Sequence, residues 1–119
     1  MRDNLVTRAS KAVQKGANEQ AINLANSSLA YDDKNKDAYF LLAVAYNKTS
    51  KWDNAIETAN KGLALETGSR EKKALFYFEL GNAQMGKGDT TSACSSFKNA
   101  SYGVNAKVAA TQATKLGCK

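Results

Sequence analysis

The chain has 119 residues, with 17 Lys and Arg against 11 Asp and Glu, a formal net charge of +6, 43% hydrophobic residues and no histidine. This length and apolar content indicate one folded domain rather than a disordered chain. No apolar run reaches the 18 or so residues that span a bilayer, and no apolar segment follows Met1. We therefore expect a soluble chain without membrane insertion; an exported form would already have lost its signal peptide.

The positive charge is scattered along the chain rather than clustered. The tightest basic group, Arg70 to Lys73, is interrupted by Glu71. Specific binding to nucleic acid needs clustered phosphate contacts together with an element that reads the bases. The sequence therefore predicts a solvated basic surface and no nucleic-acid partner.

Polar breaks divide the chain into amphipathic segments, whose apolar residues recur at the three- and four-residue steps of a helix. The first predicted helix runs from Arg2 to Lys15, and Asn18 is expected to cap the second. Asp37 is expected to cap the third, which meets the fourth at the polar break of residues 47–51 to form a helical hairpin over residues 38–65. The last predicted helix covers residues 105–117.

The hairpin recurs on both sides of itself. Residues 16–30 line up with residues 50–64, which pairs Ala21 with Ala55 at an offset of 34 residues. Downstream, Ala93 corresponds to Ala55 at an offset of 38 residues, and the four extra residues fall in the polar stretch 66–73. The sequence thus predicts three successive copies of one helix pair.

A helix-pair period of this length, with an aromatic residue followed by Leu-Gly, Ala, Phe and Ala, resembles the tetratricopeptide repeat (TPR) family. The third copy carries the resemblance best, through Tyr77, Leu80, Gly81, Gly88, Ala93, Phe97 and Ala100. The resemblance implies an all-α, right-handed superhelix of stacked antiparallel helix pairs, seven helices in a single domain of residues 1–119. Its repeats would span about 2–35, 36–69 and 74–103, followed by a capping helix over 105–117.

Motifs for catalysis or cofactor binding are weak. Residues 81–87 imitate the start of a phosphate-binding loop, but Gly88 stands where Ser or Thr must hold magnesium, and a predicted helix replaces the required strand. The commonest general base and metal ligand, histidine, is missing, and the acidic residues are dispersed. We expect no catalytic residue, no metal, no cofactor and no enzymatic activity.

The two cysteines leave two alternatives open. Cys94 occupies the repeat position of Ile22 and Ile56, which predicts that it faces the last helix, and Cys118 lies just beyond that helix. If Gly117 turns the chain back, the sulfurs can form a disulfide, which would indicate an oxidising, extracytoplasmic compartment such as the periplasm. Otherwise Cys94 is a small apolar core residue and Cys118 a free thiol, as in a cytoplasmic protein.

In TPR folds the first helix of each repeat lines a concave groove. The resemblance assigns to this groove Asp3, Val6, Ser10, Val13, Asp37, Phe40, Val44, Asn47, Leu75, Phe78, Asn82 and Met85. Such a surface would offer apolar side-chain sites and amides that hold a peptide backbone, unless neighbouring helices cover part of it. TPR domains that clamp the carboxylate end of chaperones use Lys, Asn, Lys and Arg, where this chain has Val6, Ser10, Leu75 and Glu79, so we do not expect that specificity.

The sequence as a whole predicts a non-catalytic adaptor that binds an extended or helical segment of another protein in the groove. The alternative is a structural domain, whose exposed faces pack into a homo-oligomer or against other domains of a longer chain.

Overall fold

The computed structural model describes the backbone of residues 2–118 and the side chains of residues 5–118. Over this range the chain forms seven α-helices and one short 3-10 helix, Gly103–Asn105, which precedes the last of them. The α-helices are α1 (Arg2–Lys15), α2 (Asn18–Tyr31), α3 (Lys36–Lys48), α4 (Trp52–Leu65), α5 (Arg70–Lys87), α6 (Thr90–Asn99) and α7 (Ala106–Lys115).

The helices stack as pairs in two layers. Each helix packs on the next along the chain, and α3 also contacts both α1 and α5. The odd-numbered helices α1, α3 and α5 therefore form an inner layer, and α2, α4 and α6 lie outside it. The stack measures 46 × 28 × 21 Å. This arrangement confirms the predicted all-α fold of stacked antiparallel helix pairs.

Small buried residues let the helices approach closely. Ala43 of α3 and Ala59 of α4 are fully buried and pack with Leu80 of α5, which joins the middle pair to the third. A second cluster of alanines with Ile22 and Leu42 fills the space between α1, α2 and α3. Because each helix contacts chiefly its neighbours in the stack, the core is a row of such clusters rather than one central mass.

Three aromatic rings each cover a glycine on a neighbouring helix: Phe76 covers Gly62, Trp52 covers Gly86, and Phe97 covers Gly81. A Cβ atom at Gly81 would lie 2.8 Å from the Phe97 ring, closer than side chains normally approach. Both glycines of the sequence that imitates a phosphate-binding loop thus lie within α5 and serve helix packing.

The turns inside the helix pairs share one backbone conformation. The φ angle is +80° at Gly16, +59° at Ser50 and +87° at Gly88, residues separated by the 34- and 38-residue offsets of the sequence repeat. The residue after each of these positions, Ala17, Lys51 or Asp89, donates its backbone N–H to the carbonyl oxygen five residues earlier in the chain. These distances are 2.8 to 2.9 Å, and the pattern is that of a Schellman motif. Gly117, with a φ angle of +76°, ends α7 in the same way.

Two predicted capping residues are wrong. Asn18 is already inside α2, because the turn at Gly16 leads directly into the helix, and no side chain caps that helix. Asp37 lies in the first turn of α3, whose N-cap is Asn35. The backbone of Asn35 is extended, as an N-cap requires, and its side-chain oxygen accepts a hydrogen bond from the Ala38 N–H at 3.2 Å.

Cys94 on α6 and Cys118 after α7 form a disulfide, with their Cα atoms 5.5 Å apart. The Gly117 turn brings Cys118 back onto the cluster that α6 and α7 share, which contains Phe97 and Ala109. The bridged alternative is therefore the one that the structure contains, and the bridge fastens α7 to the end of the stack.

Candidate functional site

Of the twelve residues predicted to line the groove, Asp37 is exposed and ten are partly exposed: Val6, Ser10, Val13, Phe40, Val44, Asn47, Leu75, Phe78, Asn82 and Met85. They lie on the inner helices α1, α3 and α5. Asp3, also assigned to the groove, lies outside the described side chains. On α1, Val13 packs against the core cluster between the first three helices, so that side chain is partly used for packing.

Five of these residues come together in one cleft between α3 and α5, with a volume of about 440 Å³. Val44, Phe78 and Met85 supply apolar walls, and Asn47 and Asn82 supply amides. The cleft is also lined by Lys48, Trp52 and Glu79. We call it the α3–α5 cleft.

Phe40 lies in a different cleft of about 330 Å³, next to the loop between α4 and α5. Its ring meets the edge of Phe76 with a centroid distance of 5.8 Å. This second cleft contains Glu66, which is only 6% exposed and accepts hydrogen bonds from Lys36 Nζ at 3.3 Å and the Gly68 N–H at 3.0 Å. The predicted groove is thus divided into two clefts, and Val6, Ser10 and Val13 line neither of them.

A polar cluster forms the floor of the α3–α5 cleft. Asn47 Nδ2 donates to the backbone carbonyl oxygen of Glu79 at 2.9 Å and to Glu79 Oε1 at 2.8 Å. The amino group of Asn47 is therefore engaged within the domain, whereas its Oδ1 atom is buried and has no hydrogen-bond partner. Burial raises the pKa of the Glu79 carboxyl, and hydrogen bonds from Asn47 and Asn82 and the charge of Lys48 oppose that rise.

Sequence reasoning did not assign Lys48 or Trp52 to the groove, and it named Glu79 only as the residue at a position where other TPR domains carry a clamp residue. A signal for Glu79 was present, because it precedes Asn82 by three residues and therefore shares a face of α5 with it. The family resemblance assigns its neighbour Phe78 to the groove. The structure shows that both side chains line the same cleft.

Replacement of Glu79 by Gln is expected to change how stability depends on pH. A raised pKa in the folded state means that the folded protein binds this proton more tightly than the unfolded chain does. The stability that Glu79 contributes is therefore full below its ordinary pKa of 4.5 and is lost as the pH rises through the raised value. The melting temperatures of Glu79→Gln and wild type should be equal near pH 4. At pH 7 the variant should have the higher melting temperature.

The matched control for this experiment is Glu71→Gln, which removes the same charge from an exposed position on the same helix. A difference between Glu79→Gln and wild type that stays constant from pH 4 to pH 7, or that shrinks as the pH rises, would contradict the pKa shift.

No helix in residues 2–118 is long and apolar enough to cross a membrane. Among the described side chains, no three His, Cys, Asp or Glu residues are placed to hold a metal ion together.

The family model "Tetratricopeptide repeat" matches residues 12–75, more than half of the chain. The chain belongs to the tetratricopeptide repeat family. The matched region runs from the end of α1 into the first turns of α5 and includes the inner helix α3. Among curated proteins, none matches the sequence significantly.

Solved structures share the TPR fold over nearly all of this chain. One is the type III secretion translocator chaperone SycD of Yersinia enterocolitica, with a TM-score of 0.86 and 16% identity over 97% of this chain and 82% of that one. A second structure of SycD, described as an alternative dimer, gives a TM-score of 0.81 and 18% identity over 97% and 87% of the two chains. At these identities the likeness concerns the fold.

Proposed function

We propose that this TPR domain is a non-catalytic protein-interaction module that binds a peptide or helical segment of a partner protein along α1, α3 and α5. The observation that carries the proposal is the α3–α5 cleft, where Val44, Phe78 and Met85 remain partly exposed beside polar groups. A concave surface with apolar walls and a few placed polar groups is the usual form of a binding site. The lining residues of this cleft include one carboxylate and one amine, Glu79 and Lys48, and we propose no reaction for them.

The two clefts define the path that a bound segment would follow along α3. Phe40 lies near the start of α3, and Val44 follows it one turn later, so the two clefts succeed one another along the inner face of this helix. A partner segment running along α3 would meet the cleft with Phe40 first and the α3–α5 cleft next. Two successive clefts with apolar walls suit a segment that places one side chain in each, in either a helical or an extended conformation.

The double variant Phe40→Ala plus Phe78→Ala is expected to bind the partner with an affinity lower by about tenfold or more. The reason is that truncation of a central interface aromatic commonly costs about 2 kcal/mol or more of binding free energy. The measurement is a pull-down that compares the proteins retained by wild type and variant. A control variant, Tyr31→Ala plus Val108→Ala, truncates two exposed side chains on α2 and α7 and should retain them.

Circular dichroism must show that the groove variant stays folded, because Phe40 and Phe78 also contact other rings. Met85→Lys, at a partly exposed position in the α3–α5 cleft, is a second groove variant that keeps both rings; circular dichroism must check its folding too, because Met85 also packs against the cluster that α6 and α7 share. Equal retention of the same proteins by wild type and both groove variants would contradict the proposal.

A structural role is the second candidate, and exposed apolar residues at the end of the stack favour it. Val104 is 84% exposed, Val108 49% and Tyr102 39%. A second copy or another domain packed here would remove these side chains from water. Light scattering distinguishes the candidates, since a dimer that persists on dilution would favour the structural role and a monomer would favour the adaptor.

A further inference from the structure

We infer that the α3–α5 cleft receives a basic side chain of the partner segment, a lysine or an arginine, whose aliphatic stem lies on the apolar walls and whose cationic group meets the Glu79 carboxylate. This inference rests on the proposed function, because it states which residue the bound segment must present. It concerns the chemistry of one cleft rather than the existence of a partner.

Glu79 forms no ion pair within the described part of the chain. Among the residues that line the cleft, it is the one carboxylate. Its hydrogen-bond donors are the neutral amides of Asn47 and Asn82. The ion pairs found in the described part of the chain involve other acids, namely Glu19, Asp53, Glu57 and Glu66. Lys48 acts on Glu79 through its charge, but no ion pair between the two is found in the described part of the chain. A cation seated in the cleft would therefore be a closer partner for this carboxylate than Lys48 is.

The α3–α5 cleft combines one carboxylate with apolar walls. The carboxylate and amides lie between apolar side chains, with Val44 on α3 and Phe78 and Met85 on α5. Lysine and arginine combine an aliphatic stem with a charged end, so both parts find a counterpart at such a site. The Trp52 side chain, whose ring covers Gly86, also lines the cleft.

The same geometry disfavours the other classes of side chain. An apolar side chain that filled the cleft would remove water from Glu79 without replacing its hydrogen bonds, which is costly for a charged group. An acidic side chain would be repelled by Glu79. Lys48 also lines the cleft and opposes a second cation, but its side chain is exposed and therefore screened by solvent.

The inference is tested with a random-peptide display library selected against the full chain as wild type, as Glu79→Gln and as Glu71→Gln. Glutamine is isosteric with glutamate and keeps an oxygen that can accept from Asn47, so the cleft should remain folded. Wild type and Glu71→Gln are expected to select peptides with a Lys or Arg between apolar residues. Glu79→Gln is expected to select apolar peptides in which that basic position is no longer enriched.

A double-mutant cycle on one selected peptide then assigns the contact. Replacing its basic residue by norleucine should weaken binding to wild type by about tenfold or more, the effect of losing one charge-assisted hydrogen bond. The same replacement should change binding to Glu79→Gln by less than about twofold, because the partner charge is already gone.

The possible failures are distinguishable. Selected peptides without an enriched basic residue, or an equal loss on wild type and on Glu79→Gln, would overturn the inference and leave the peptide-binding function standing. Selection of no peptide above the background of an unrelated protein would overturn both.

Discussion

Replacing Phe97 by Ala is expected to lower the free energy of unfolding by about 3 to 5 kcal/mol, the usual cost of deleting a buried aromatic side chain. The Phe97 ring is completely buried and lies on Gly81 of α5. It also meets the edge of the Phe78 ring with a centroid distance of 6.1 Å and packs against the cluster that α6 and α7 share. Because helices on both sides of Phe97 are already closely packed, they cannot collapse fully into the space that its ring leaves.

Urea denaturation followed by circular dichroism measures this effect. The control is Tyr31→Ala, which also truncates an aromatic residue, but at a position that is 72% exposed. We expect the control to change the free energy of unfolding by no more than about 0.5 kcal/mol. Equal denaturation midpoints for Phe97→Ala and Tyr31→Ala would contradict the packing described for the third helix pair.

Removing the disulfide by Cys94→Ala plus Cys118→Ala is expected to cost about 3 to 4 kcal/mol in the chain-entropy model. The bridge joins residues 24 positions apart and therefore restricts the unfolded chain. In the folded state it fastens α7, so the amides of that helix should also exchange with solvent faster in the variant. Urea denaturation and hydrogen exchange, both without reductant, measure the two effects.

The single variants Cys94→Ala and Cys118→Ala complete a cycle that identifies the bridge as the cause. If the disulfide is the stabilising interaction, each single variant loses nearly as much as the double variant, because one replacement already breaks it. Costs that simply add would show instead that the cysteines act as separate packed side chains. A bridge that forms in the native protein also leads us to expect an oxidising compartment.

Much of the fold is predictable because the sequence repeats at two levels. Alanines such as Ala21, Ala55 and Ala93 recur where two helices touch, and a larger side chain cannot replace them without moving a helix. The turns recur as well, since Gly16 and Gly88 adopt the left-handed conformation that Ser50 shares. The packing alanines and the turn residues recur at the same offsets of 34 and 38 residues. This agreement explains why the helix pairs could be located from sequence.

The details of the candidate site were less predictable. The role of Asn47 depends on the side chain opposite it on α5, and helical periodicity does not specify how two inner helices are rotated against each other. Its hydrogen bonds to Glu79 therefore emerge only from the packed structure. The capping error at Asp37 has a similar origin, because Asn35 two residues earlier suits the N-cap equally well by residue type.

The central claim, that the inner face of the domain holds the partner, is tested most directly by site-specific photo-cross-linking. A benzophenone amino acid is placed at Lys48, on the rim of the α3–α5 cleft, or at Asn60, an exposed position on the outer helix α4. Both positions are exposed, so neither replacement should disturb the core. We predict a covalent adduct with the partner from position 48 and none from position 60. Equal adducts from both positions, or an adduct from position 60 alone, would contradict the account.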